Sequence, residues 1–243
     1  MIPYLLRKLL TIALLLVAVF TASFFLIRLA PGGPFDEDRQ LQPEIQRAIE
    51  SKFRLDQPLG TQYREYFTDV FLRGDLRPSF SYRNTSVNQI IAETFPRSAA
   101  LGSAALFVAL LLGIPAGVFA AARRGKAADA ALSIVFALGL AVPNFVLATA
   151  LVLVFGFGLE WFPVAGFDTL RHLVLPALAL GIPLAAGAAR LVRAGMLDAM
   201  DSAFVRTATA KGLSRRRVLL GHALRAGLTP LVTWLGPATA AVL

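Results

Sequence analysis

Five long stretches of the chain contain no charged side chain, and more polar segments separate them. They are residues 9–27, 99–122, 130–159, 173–189 and 226–243. A helix needs about 20 apolar residues to cross a bilayer. Hydrocarbon offers no partner to backbone polar groups outside a helix or a closed barrel. The pattern therefore predicts an all-α, polytopic membrane bundle.

The first stretch follows Arg7 and Lys8, as the apolar part of a signal peptide would. Residues 9–27 are longer than the usual signal core of roughly 7 to 15 residues, and the sequence after Arg28 offers no small-x-small cleavage site. We interpret this stretch as a retained first transmembrane helix.

Composition supports a membrane protein, because 56% of the residues are hydrophobic and only 16% are charged. Soluble domains are about 45 to 50% apolar and about 25% charged. A soluble enzyme and a nucleic-acid-binding protein are excluded as main interpretations, and the net charge of +9 is attributed to loops at a membrane. The chain has no cysteine, so it has neither disulfides nor a thiolate metal site.

Basic residues in the short segments between the stretches set the predicted orientation. One side carries thirteen of them and the other only Arg171, which by the positive-inside rule makes the N-terminus cytoplasmic. The thirteen are Arg7, Lys8, Arg123, Arg124, Lys126, Arg190, Arg193, Arg206, Lys211, Arg215, Arg216, Arg217 and Arg225.

The long segment after the first stretch is predicted to be a small helical insertion outside the membrane. The expected organisation is thus residues 1–29 as N-terminus and first span, 30–98 as external helical segment, and 99–243 as membrane core. Apolar residues repeat at helical spacing in two places, and Pro43 is placed to begin a third helix reaching Phe53. The repeats are Tyr63, Tyr66, Phe67, Val70 and Phe71, and then Val87, Ile90, Ile91, Thr94 and Phe95.

We interpret the aromatic side chains of the first repeat as packing against other helices rather than as a platform for a ligand. The three acidic residues at 36–38 are interpreted as a solvated turn rather than a calcium-binding loop.

The sequence shows no catalytic, cofactor or metal site. The last four apolar stretches contain no ionisable side chain, which disfavours an ion-coupled carrier. There is no G-x-x-x-x-G-K-[S/T] phosphate loop and no G-x-S-x-G elbow. The predicted topology separates His172 and His222 across the membrane. A membrane enzyme is therefore disfavoured, and the energy for any transport must come from elsewhere.

Glycine and proline within the spans allow close helix contacts and kinks. Pro143 and Asn144 are adjacent within the third stretch, and Asn144 is its one amide. They are candidate pore-lining residues, although we favour an interhelical hydrogen bond as the use of Asn144.

Residues 190–225 form a basic loop far longer than a simple turn. Within it, residues 196–211 predict a surface helix that places Phe204 and Val205 on one apolar side, ended by Gly212. Ser214 could cap the next helix. Such a loop could lie on anionic lipid or dock into the groove of a partner.

The stretch FVRTATAKGLSRRRVLLGHALRAGLTP at 204–230 resembles the cytoplasmic signature of binding-protein-dependent ABC importer permeases, in the version of the peptide transporters. Registered on Gly212, the chain has Arg206, Thr207 and Ala208 where the general motif has E-A-A, so the role of its glutamate is not assigned here. The N-terminal YLLRKLL and FFLIRLAPGGPF, and PSFSYRNTSVNQIIAETFPRSAALG at 78–102, also resemble the B-type subunit of oligopeptide permeases.

This resemblance implies a permease subunit in the bacterial inner membrane that forms half of a pore for oligopeptides. Permeases of this type for nickel or a glycoside are the alternative, and a membrane scaffold is a less favoured one. The implied partners are a second permease subunit, two cytoplasmic ATPases, an external solute-binding protein and membrane lipid, with no nucleic acid. The family continues to a sixth helix, so we expect a C-terminally truncated chain. The implied ATPase-coupling residues are Phe204, Arg206, Thr207, Ala208, Lys211, Gly212 and Leu213.

The orientation can be tested with single cysteines, because the native chain has none. We expect a membrane-impermeant thiol reagent added outside intact cells to label a cysteine placed within residues 36–97, and to leave a Gly212→Cys variant unlabelled until the cells are opened. Labelling of Gly212→Cys from outside would contradict the topology.

Overall fold

The computed structural model describes residues 2–29, 51, 53–82 and 84–243. These residues are mostly helical, and their only strand-like pairing is an isolated antiparallel bridge between Pro78 and Ser86. The chain divides into two compact units, Met1–Ala92 and Glu93–Leu243. The helix expected from Pro43 and the acidic turn at 36–38 lie outside the described residues, apart from Phe53.

The described part of the chain forms ten α-helical segments, and three π-helical turns extend some of them. The helices are α1 Ile2–Leu29, α2 Leu59–Thr68, α3 Val87–Ala122, α4 Ala127–Ala141, α5 Asn144–Leu151, α6 Leu170–Met200, α7 Ala203–Ala210, α8 Arg215–Arg217, α9 Leu224–Gly227 and α10 Thr229–Val242. The π-helical turns are Asp69–Arg73 after α2, Val152–Gly158 after α5 and Val218–Ala223 between α8 and α9.

All five apolar stretches are helical, which confirms the predicted all-α membrane fold. Three helices, α1, α3 and α6, are each long and apolar enough to span a membrane. The other two stretches are broken. Residues 127–158 bend by 100° and residues 215–242 bend by 47°, so the number of spans is three, or five if each bent pair is one span.

Proline explains where the third stretch breaks. Val142 precedes Pro143 and adopts an extended conformation with φ −73° and ψ 123°. The proline ring disfavours the helical conformation in the residue before it, and proline has no N–H to continue the helix. The third stretch therefore consists of two helices that meet at a sharp corner.

The repeat from Val87 to Phe95 is not a separate short helix, as its spacing had suggested. It forms the first turns of α3, which continues through Pro96 and Pro115 to Ala122. Residues 96–99 contain no glycine or turn sequence that would end the helix, and proline is tolerated inside membrane helices.

In the first unit, the aromatic stripe of α2 packs against α1, which confirms the packing interpretation. The ring of Phe20 lies 5.1 Å from that of Tyr66 and 5.3 Å from that of Phe71. The ring of Phe24, which is 2% exposed, lies edge-on to Tyr63 at 5.2 Å. Such tilted and edge-on pairs are favoured by the ring quadrupoles.

A buried carboxylate organises the chain after α2. Asp69 accepts hydrogen bonds from Nη1 of Arg73 at 2.8 Å and from Nε and Nη2 of Arg77 at 2.9 and 2.8 Å. Burial raises the pKa of Asp69, but the hydrogen bonds and charges of Arg77 and Arg73 outweigh burial and hold it below its ordinary value. The guanidinium of Arg77 also lies 5.1 Å from the ring centre of Tyr66.

In the second unit, α3 and α6 approach so closely that the glycines at their contact leave no room for a side chain. A Cβ on Gly113 would lie 2.7 Å from the carbonyl oxygen of Ala185, and one on Gly117 would lie 2.6 Å from that of Ala189. A Cβ on Gly181 would lie 2.8 Å from Cβ of Val108. Small residues are what membrane helices use for this kind of contact, because van der Waals packing holds them together there.

We expect Gly117→Ala to destabilise the second unit, since either Ala189 or Val192 must move to admit the methyl group. Overpacking of this kind costs about 1 to 3 kcal/mol, measurable as a lower unfolding temperature in detergent. Gly236→Ala in α10 is the matched control, because a Cβ there meets nothing within 4 Å. Equal stability of the two variants would show that the close contact is not needed.

We also expect the structure around Asp69 to be sensitive to acid. Because its folded pKa is lowered, its contribution to stability is complete above the unfolded pKa and is lost as the pH falls through the folded value. Asp69→Asn should accelerate hydrogen exchange in residues 69–78 about tenfold at neutral pH, given the usual cost of lost charged hydrogen bonds. It should also remove the acid-dependent step, and an unchanged pH profile would contradict this role.

Candidate coupling site

The segment after α6 is a short, separate helix. Residues up to Met200 belong to α6, which corrects the single surface helix expected over 196–211. The break lies at Ser202, whose extended backbone (φ −76°, ψ 156°) cannot continue the helix. The Ser202 hydroxyl instead donates to the carbonyl oxygen of Ala199, so that the end of α6 keeps its hydrogen bonds.

Gly212 ends α7, as the sequence predicted. Its φ of +79° lies in the left-handed region, which glycine adopts at little cost. The N–H of Gly212 donates to the carbonyl of Thr209 at 2.9 Å, and the N–H of Leu213 donates to that of Ala208 at 3.4 Å. These two hydrogen bonds define a Schellman motif, which closes the helix and turns the chain back.

Val205 and Ala208 anchor α7. They are 5% and 6% exposed and belong to one apolar cluster. The other buried members of that cluster are Ala121, Ala188, Val192, Met196, Ala199, Val218, Ala223 and Leu231. Phe204 is 48% exposed and points elsewhere, because adjacent residues of a helix are about 100° apart. The expectation that Phe204 and Val205 share one apolar side is therefore wrong.

The structure places most of the predicted coupling residues on the surface. Phe204, Arg206, Thr207, Lys211 and Gly212 are exposed, Leu213 is half-buried and Ala208 is buried. The exposed side chains form a ridge of aromatic, hydroxyl and cationic groups, and the buried side of α7 attaches this ridge to the bundle. This ridge contains no nucleophile paired with a base.

Beyond Gly212, one residue behaves differently from its prediction. Ser214 occupies the position before α8, but its side chain makes no capping hydrogen bond. Its backbone carbonyl instead accepts a hydrogen bond from the N–H of Val218 and closes the first turn. The adjacent Arg215 is not simply a solvated charge, because its Nη2 donates to the carbonyl oxygen of Ala122 at 2.7 Å.

Sequence reasoning missed a second set of charges beside this segment. Asp129 accepts hydrogen bonds from Arg193, at 2.6 Å from Nε and 2.8 Å from Nη2. Arg124 pairs with Asp201 at 3.1 Å. The signal was present, since Asp129 is an acidic residue directly before the third apolar stretch. The positive-inside rule, however, treats Arg124 and Arg193 only as charges of the loops.

Pro143 and Asn144 lie at the corner between α4 and α5, and both are exposed. The carbonyl of Pro143 accepts from the N–H groups of Val146 and Leu147 and so begins α5. Among the described residues, no other helix receives a hydrogen bond from the Asn144 side chain, so the interhelical bond favoured from sequence is not found in this part of the chain. In the described part of the chain, no three side chains that could bind a metal ion lie close together.

Comparison with known proteins identifies the architecture. Residues 113–243 match the family described as "Binding-protein-dependent transport system inner membrane component". Residues 1–102 match its N-terminal counterpart, "Binding-prot-dependent transport system membrane comp, N-term".

Similar proteins cover almost all of the chain. It is 41% identical over 240 residues to the oligopeptide transport system permease protein OppB of Escherichia coli K12, which covers 98% of this chain and 78% of that protein. The OppB of Haemophilus influenzae is 42% identical with the same coverage. The dipeptide transport system permease protein DppB of Bacillus subtilis is 36% identical over 243 residues, 100% of this chain and 79% of that protein.

These matches agree with a helical, multi-pass inner-membrane protein without catalytic machinery of its own. Permeases of this kind work with ATPase and substrate-binding partners. Since the match at 113–243 spans more than half of the residues and the relatives cover nearly all of them, the chain belongs to the family of binding-protein-dependent transport system inner membrane components, the permeases of ABC importers.

Proposed function

We propose that this chain is a permease subunit of an ATP-driven peptide importer. The observation that carries the substrate class is the similarity, over nearly the whole chain, to relatives named as oligopeptide and dipeptide permeases. The absence of a phosphate-binding loop from the sequence supports a division of labour in which separate ATPase subunits supply the energy.

In this proposal, α7 is the coupling helix, and its exposed ridge docks into a cleft of an ATPase subunit. Two features support this role. Val205 and Ala208 fix the helix to the membrane bundle, whereas Phe204 is 48% exposed and so available to a partner. Aromatic side chains that fill a partner's pocket contribute strongly to binding. Arg206, Thr207, Lys211 and Leu213 would surround this anchor.

The complete transporter would contain a second permease subunit, two cytoplasmic ATPases and an external solute-binding protein. The N-terminus and residues 190–225 would face the cytoplasm, as the basic asymmetry indicates. ATP hydrolysis would displace α7 and switch the bundle between outward-facing and inward-facing states. The corner at Pro143 and Asn144 would lie along the pore, where an exposed amide and a bent helix suit a polar substrate.

We expect Gly212→Val to reduce both peptide uptake and co-purification of the ATPases. A Cβ at this position meets nothing within 4 Å, so the change acts through the left-handed backbone and not through a clash. The strain is about 1 to 3 kcal/mol. Gly212→Asn is the matched control, because asparagine tolerates this conformation, and Phe204→Ala should lower both quantities without disturbing the fold.

The measurement is uptake of a labelled oligopeptide by the reconstituted transporter, with nickel and a glycoside as competing solutes. Arg216→Gln and Arg217→Gln should have smaller effects, since each weakens attraction to anionic lipid by about 1 kcal/mol at most. If Gly212→Val and Phe204→Ala leave uptake and co-purification unchanged while the arginine variants abolish them, α7 is a lipid-binding element. Uptake of nickel or the glycoside in place of the peptide would overturn the substrate class.

A further inference from the structure

An ion pair joins α4 to α6 at the end of the bundle that carries α7. Asp129 lies in the first turn of α4 and is 5% exposed. Its two carboxylate oxygens accept separately from Nε and Nη2 of Arg193, in a bidentate arrangement. The N–H of Gly125, in the turn before α4, adds a third hydrogen bond of 3.1 Å to Asp129. The relative position of the two helices is thus fixed at this point.

The end of α3 and the turn that follows it also hold both ends of residues 202–214, the segment that contains α7. Arg124 pairs with Asp201, which directly precedes that segment. Arg215, which directly follows it, donates to the carbonyl oxygen of Ala122 at the end of α3. The Arg124–Asp201 pair is exposed on both sides, with side-chain exposures of 56% and 69%, so water weakens it. The ion pair of Asp129 with Arg193 is the connection that is sheltered from water.

Helix α4 is the element best placed to transmit a displacement of α7. The contact of α3 with α6 is made backbone to backbone at Gly113 and Gly117, which leaves little freedom for independent movement. Helix α4 packs on these helices mainly through Phe136, which lies among Ala120, Ala186 and Ala189, and a Cβ on its Gly139 would lie 3.0 Å from Cβ of Ala186. Its far end is the corner at Val142 and Pro143, where the chain bends by 100°.

We propose that Asp129 and Arg193 are positioning residues for energy coupling. By holding the start of α4 to α6, they make α4 follow a displacement of α7 and carry that movement to the corner at Pro143. This inference rests on the proposed function, because it presupposes that α7 receives the movement from an ATPase. It goes further in assigning the transmission to one ion pair and one helix.

The test uses the complete transporter, with both permease subunits, the ATPases and the solute-binding protein, in proteoliposomes. The quantity measured is peptide uptake per ATP hydrolysed, together with the amount of ATPase that co-purifies. We expect Asp129→Asn to lower uptake per ATP about fivefold or more, the lower end of typical coupling between sites, while co-purification stays unchanged. A loss confined to folding would reduce assembled transporter but not this ratio.

Two further variants make the result decisive. Asp129→Asn leaves the cation of Arg193 without its partner, which can destabilise a protein by itself. The double variant Asp129→Asn with Arg193→Gln leaves no unpaired charge, and it should show the same lowered ratio. Asp198→Asn is the matched control, because this exposed acid also lies on α6 and forms none of the ion pairs found among the described residues. Its ratio should equal that of the unchanged protein.

The inference is overturned if the single and double variants keep the normal uptake per ATP, or if Asp198→Asn lowers the ratio equally. That outcome is distinguishable from failure of the proposed function. In the latter case the unchanged transporter would not take up peptide, or Gly212→Val would leave uptake and ATPase binding intact, whatever the result at Asp129.

Discussion

The close approach of α3 and α6 is the constraint on which the rest of the second unit depends. Where Gly113 and Gly117 meet α6, the backbones are near enough that a single methyl group would overlap a carbonyl oxygen. In lipid, helices gain no hydrophobic advantage from associating. The van der Waals contacts between α3 and α6 therefore decide the stability of this contact, which we call the seam. The other helices of this unit then pack around a pair whose geometry is already set.

The same seam makes α7 part of the bundle instead of a flexible loop. Helix α6 continues from the seam to Met200, and only Asp201 and Ser202 separate it from α7. Val205 and Ala208 share an apolar cluster with Val192 and Met196 of α6 and with Ala121 of α3. These contacts attach α7 to the pair formed by α3 and α6.

Two carboxylates that are sheltered from water are paired with arginines in this structure. Asp129 and Arg193 neutralise each other at the ends of α4 and α6, and in the first unit Asp69 gathers Arg73 and Arg77. A buried carboxylate is costly without a partner. Each pair therefore fixes a specific arrangement of the segments that contribute its members.

What the sequence determined by itself is what depends on neighbours along the chain. Charge-free stretches of membrane length and the helix end at Gly212 both follow from local properties: side-chain polarity and the left-handed backbone. Tertiary structure decided the rest, including which of Phe204 and Val205 is buried, the 100° corner and the pairing of Asp129 with Arg193. Those features depend on residues far apart in sequence, since Asp129 and Arg193 are 64 positions apart and meet only after α3, α4 and α6 have packed.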